Sequence, residues 1–88
     1  MKSKQHDFQK GDVFRNPLLM KVEVLEVLRK NLLVVEVQDY NNPEDGNYNG
    51  LMSKQMIKDN DLKFIGHVDY IPRKFFKFLG PKKVFIPA

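Results

Sequence analysis

The sequence predicts a mainly β fold with short helices, a small antiparallel barrel carrying a short C-terminal helix. Three observations point there. Residues 20–28 and 32–40 alternate apolar and polar side chains with the two-residue period of half-buried strands. Turn formers cut the chain at short intervals, at Gly11-Asp12, Asn16-Pro17, Arg29-Lys30-Asn31 and throughout residues 41–50. A chain of 88 residues that is 42% hydrophobic and has no cysteine has enough apolar surface for one core, which must hold without disulfides or a thiolate zinc site.

Taken in order, residues 1–7 form a polar leader with nothing to anchor it, and are expected to be disordered. Lys10-Gly11-Asp12-Val13-Phe14 places a turn before a first short strand, which Asn16-Pro17 ends. The second strand begins at Met20 with Val22 and Val24 on one parity; at Leu25 the phase changes, and Leu25 and Val27 take over the odd positions. A β-bulge or a strand bent between two sheets explains such a switch. Leu33, Val35 and Val37 mark the third strand, joined to the second as a long hairpin. Residues 41–50 are rich in Asn, Gly, Asp and Pro and read as a surface loop in which Tyr48 is an exposed aromatic. Leu51-Met52 returns to the sheet, Ser53 caps a short helix over residues 54–58, and residues 62–68 form another strand. Pro72 and Gly80-Pro81 bracket two helical turns over residues 73–79, with Phe75, Phe76 and Leu79 on one face and Arg73, Lys74 and Lys77 on another. Residues 82–86 are placed as a final edge strand. The domain plan is a leader at 1–7, the barrel at 8–68, and a basic aromatic helix and edge segment of the same domain at 69–88.

This layout resembles a small SH3-like barrel of the kind found in KOW and Tudor modules. The likeness rests on Lys10-Gly11-Asp12-Val13-Phe14 as the first strand and on residues 53–65 as the helical turn leading into the last one. Neither an acidic, aromatic-rich peptide-binding loop nor an aromatic cage is visible, so those ligand types do not carry over. The Asn- and Lys-rich composition also resembles that of small accessory proteins of phages and mobile elements.

The inventory for catalysis is thin. His6 lies in the leader, and His67 has only Asp69 beside it on the same strand face, too few ligands for a metal. Ser3 and Ser53 lack a neighbouring base; Glu44-Asp45 and Asp59-Asn60-Asp61 lack the alternating oxygen register of a calcium loop, and no phosphate-binding glycine motif is present. The expectation is a binding module and not an enzyme, with no cofactor and no metal. No apolar run approaches a membrane span, so the expected location is the cytoplasm, that of the host if phage-encoded.

Charge points outward. The net charge is +4, but residues 21–60 carry −2 while residues 61–88 carry +4, with no acid after Asp69. Arg73, Lys74, Lys77, Lys82 and Lys83, with Lys63, are the candidate contacts to nucleic acid, a ribonucleoprotein or an acidic protein surface, and Arg15 and Lys30 are further backbone contacts. Packing alone accounts for the aromatic rings of the C-terminal segment; it does not account for the lysines. Neutralising about four phosphates gives a log-log salt slope near −3.6 on duplex DNA. The rival expectation is a phage-type adaptor or inhibitor that docks on a host enzyme through an exposed sheet edge, the loop at residues 40–50 or the apolar part of the C-terminal segment, or a homodimer built through residues 70–88.

Overall fold

A computed structural model of the chain describes residues 8–29, 31–71 and 82–88. Six strands form one antiparallel sheet: β1 (Asp12–Asn16), β2 (Met20–Arg29), β3 (Leu32–Asp39), β4 (Asn47–Ser53), β5 (Lys63–Ile71) and β6 (Lys82–Pro87). Their order is β4-β3-β2-β1-β5-β6, and one helix, α1 (Lys54–Asp59), joins β4 to β5. The mainly β expectation holds, but the sheet does not close. Among the described residues β4 and β6 end it, each paired on one side only, and no ladder joins them. Closure of a barrel needs the first and last strands to meet in register, and β6 is instead paired only with β5.

Alternation sorts the two faces of the sheet. Phe14, Val22, Val24, Leu33, Val35, Val37 and Met52 point to one face and are buried there with Ile57 and Leu62, while Phe8 and Met20 pack at the margin. The phase switch at Leu25 is a β-bulge: Val24 pairs with Val35 and Glu26 with Val34, leaving Leu25 without an opposite number. That extra residue lets Val22 and Val24 before it, and Val27 after it, face the same side of the hairpin. Ser53 caps α1, its Oγ accepting the Met56 N–H at 3.1 Å, and the helix inserts Ile57 into the core.

Two assignments change. Residues 47–50 belong to strand β4 and not to the loop, since Tyr48 pairs with Val37 and Asn47 with Gln38; the loop contracts to residues 40–46 around a short 3-10 turn at Pro43–Asp45. Cross-strand pairing with a strongly β-forming partner overrides the turn propensity of Asn and Gly. β5 also runs on to Ile71, beyond residue 68, because Asp69, Tyr70 and Ile71 find partners in Val84, Lys83 and Lys82. The helix expected at residues 73–79 and the leader at 1–7 lie outside the described residues.

Glycine is required at Gly11. Its φ is +95°, its N–H donates to Val24 O at 2.8 Å, its carbonyl accepts the Val68 N–H at 2.7 Å, and a Cβ there would strike the Val68 carbonyl. Gly11→Ala is expected to destabilise the fold by about 1–3 kcal/mol, and Leu33→Ala by about 2–5 kcal/mol through cavity formation. Urea titration measures both.

Candidate functional site

On the face opposite the core, β2 carries Glu23 with its side chain only 8% exposed. A buried carboxylate must be neutralised or fully hydrogen-bonded. Glu23 is held from β5 and β6. Tyr70 on β5 donates its hydroxyl to Glu23 Oε2, and Lys83, directly opposite Tyr70 on β6, donates from Nζ to Oε1 at 2.9 Å. Lys83 Nζ also lies 4.0 Å from Glu36 on β3. In the strand order β6 stands three strands from β2 and four from β3, about 14 and 19 Å across a flat sheet at ~4.8 Å per strand. Side chains that stand upright on a flat sheet do not bridge such gaps, so the β5–β6 ribbon turns over this face.

The ribbon leaves a hollow of about 210 Å³ lined by Val13, Lys21, Glu23, Val68, Lys83 and Phe85. Burial, and secondarily the hydrogen bond to Glu23, pushes the Tyr70 hydroxyl up to about 12. The Glu23 hydrogen bond holds the Lys83 ammonium above its ordinary value against the opposing effect of burial. Lys10 and Lys83 stand 5.5 and 5.9 Å from the centre of the Tyr70 ring.

Lys83, expected to meet an external polyanion, is thus committed to the protein's own carboxylates. Its neighbour Lys82 points the other way along the edge strand and is exposed. Lys63 opens β5 as an exposed side chain paired with exposed Asp61 at 2.8 Å, an arrangement that solvent renders weak and exchangeable. Arg73, Lys74, Lys77 and Lys30 lie outside the described residues. Tyr48 is 48% exposed, as expected, although it sits in a strand. His67 Nε2 and Asp69 Oδ1 are 3.4 Å apart and both exposed. Among the described residues no three His, Cys, Asp or Glu side chains converge as a metal site, and no helix is long and apolar enough to cross a membrane.

A cationic row runs across the sheet. Arg15 on β1 pairs with Lys21 on β2 and with Lys63 on β5, so three cations stand side by side on three adjacent strands. Like charges placed directly opposite one another are unfavourable in a sheet. Arg15 is steadied by donating Nε to the Tyr40 hydroxyl at 3.0 Å, which leaves its outer guanidinium nitrogens for a ligand, and neither Arg15 nor Lys21 has a carboxylate partner among the described residues. Lys63 also stands on the rim of an open groove of about 950 Å³, together with Lys54 and Lys58 of α1 and beside Phe64, which is 38% exposed. Lys21, Lys54 and Lys58 escaped the sequence reading. The signal for Lys21 was present: placing the β1–β2 turn at Pro17-Leu18-Leu19 sets Arg15 opposite Lys21.

No protein-family model matches the chain, and neither a curated protein nor a solved structure matches it.

Two measurements check the Glu23 cluster. Lys83→Met is expected to cost about 1–3 kcal/mol by stripping a partner from a buried carboxylate, whereas Lys82→Met stays within about 0.5 kcal/mol; denaturant midpoints separate them. The folded pKa of Tyr70, about 12, lies above its ordinary 10.0, so its stabilisation is complete below pH 10 and is lost as pH rises from 10 towards 12. Tyrosinate absorbance should show one of the three tyrosines ionising late, and Tyr70→Phe should remove that step.

Proposed function

We propose that the chain is a non-catalytic module that binds the sugar-phosphate backbone of nucleic acid, with Arg15, Lys21 and Lys63 as its central contacts. The observation that carries this reading is the register that sets those three cations in one row without buried carboxylates to neutralise them. A fold tolerates such mutual repulsion when an external anion relieves it, and guanidinium and ammonium groups on rigid strands are suited to phosphate oxygens. On the core side of the sheet, a groove whose rim carries Lys54, Lys58 and Lys63 together with Asp61 is a separate cationic margin, and Phe64, which packs on Phe14 and is 38% exposed, borders that groove and not the row. Exposed Lys82 is a peripheral contact. An SH3-like plan is supported by the order β4-β3-β2-β1-β5 and by the single helix between β4 and β5, with β6 as an addition to that plan.

Neutralising about three phosphates gives a log-log salt slope near −2 for single strands and near −2.7 for duplex. Fluorescence anisotropy with a labelled oligonucleotide, single-stranded and duplex, at two salt concentrations measures it. Arg15→Glu is expected to weaken binding at least tenfold and to flatten the slope by about one. Absence of binding at low salt overturns the proposal.

A further inference from the structure

On the premise that the row of Arg15, Lys21 and Lys63 binds phosphates, we infer that the nucleic acid is single-stranded and runs from the row, around the end of the sheet, into the groove beside α1. Lys63 is common to the two surfaces: it stands opposite Arg15 as the third cation of the row, and it lines the groove. Arg15, Lys21 and Lys63 each lie within one residue of an end of their strand, so the row borders the margin of the sheet. Phe64, the next residue of β5, turns to the other face by strand alternation and lines the groove there. A chain that passes Lys63 therefore enters the groove from the row.

The groove repeats the electrostatics of the row. Its charged lining is Lys54, Lys58 and Lys63 against a single acid, Asp61. Lys54 and Lys58 are four residues apart on α1 and so share one helix face, a spacing at which like charges repel. Neither has a carboxylate partner among the described residues. Lys54 Nζ stands 5.1 Å from the centre of the Phe8 ring, which sets its charge over the groove floor. Asp61 is held by Lys63 at 2.8 Å with both side chains exposed, a weak pair that a phosphate can replace. The floor is aromatic: Phe8 and Phe64 both pack on Phe14, with ring centres 5.1 and 5.7 Å apart. Cations along an aromatic floor suit the phosphates and bases of a single strand together. Stiffness then excludes the duplex, whose persistence length of about 50 nm keeps it on one face of so small a domain. The row alone neutralises about three phosphates; with Lys54 and Lys58 the number is about five, which steepens the single-strand salt slope from near −2 to about −3.5 and leaves the duplex near −2.7.

Anisotropy titrations of labelled oligothymidylate and of a duplex of equal length, with the full chain and with the double variant Lys54→Gln/Lys58→Gln, decide the matter. The double variant is expected to bind the single strand about tenfold more weakly at low salt, with its slope returned to near −2. Its duplex affinity is expected to equal that of the wild type, which also shows that the variant is folded. Arg15→Glu, by contrast, weakens both. Three results overturn the inference while leaving the row intact: a double variant that binds oligothymidylate as the wild type does, an equal loss on the duplex, or an oligoglutamate peptide that binds the wild type more tightly than oligothymidylate and loses that affinity in the double variant, which gives the groove to an acidic protein. A wild-type chain that binds neither form at low salt is a separate result, and it overturns the row and the groove together.

Discussion

One buried carboxylate organises the molecule. Glu23 sits on β2 in an otherwise apolar strand centre, and its two oxygens are claimed by Tyr70 and Lys83 from two strands on the far side of the sheet. Charge burial of this kind is poor as a source of stability, since desolvation offsets most of the attraction. Its effect is specificity of shape. The β5–β6 ribbon has few ways to satisfy a sunken carboxylate, so it is fixed over one face at a single register, and the register that does so, Tyr70 opposite Lys83, is the same one that pairs Val68 with Phe85 above the hollow. Among the described residues no buried side-chain nitrogen or oxygen is left without a partner, which is the condition under which a polar cluster rigidifies a fold.

The same face divides its charges by row. The row through Glu23 and Glu36 is acidic and engages Lys83, while the next row, through Lys21, Arg15 and Lys63, is basic, with Arg15 and Lys63 exposed and Lys21 half-buried beside the Glu23 hollow. Lysines that look equivalent in the sequence are therefore not equivalent in the fold. Lys82 and Lys83 are adjacent in the chain, yet strand alternation sends one to solvent and the other to a carboxylate 60 residues away.

Much of the local structure was legible because it depends on near neighbours. The period of β2 and β3, the phase switch that located the bulge at Leu25, and the cap at Ser53 are all written in stretches of a few residues. What could not be read depends on pairing across the chain. Asn47 to Gly50 have the composition of a loop and become strand only because Val35, Glu36, Val37 and Gln38 lie alongside. The fate of Lys83 depends on where β6 lands, and nothing near Lys83 in sequence announces Glu23. The open sheet was equally hidden, because strand count and turn spacing are the same whether or not the last ladder forms. Arg15 was singled out from the sequence, but its significance comes from the register that puts Lys21 and Lys63 on either side of it.

The Lys82, Lys83 and Pro87 side chains on β6 have a bearing on assembly size. A molecule with two receptive sheet margins would propagate head to tail without limit and form filaments. Here one margin carries two lysines and a terminal proline, which discourage the addition of a further strand there, so the two margins of the sheet are unequal and head-to-tail growth through both is disfavoured.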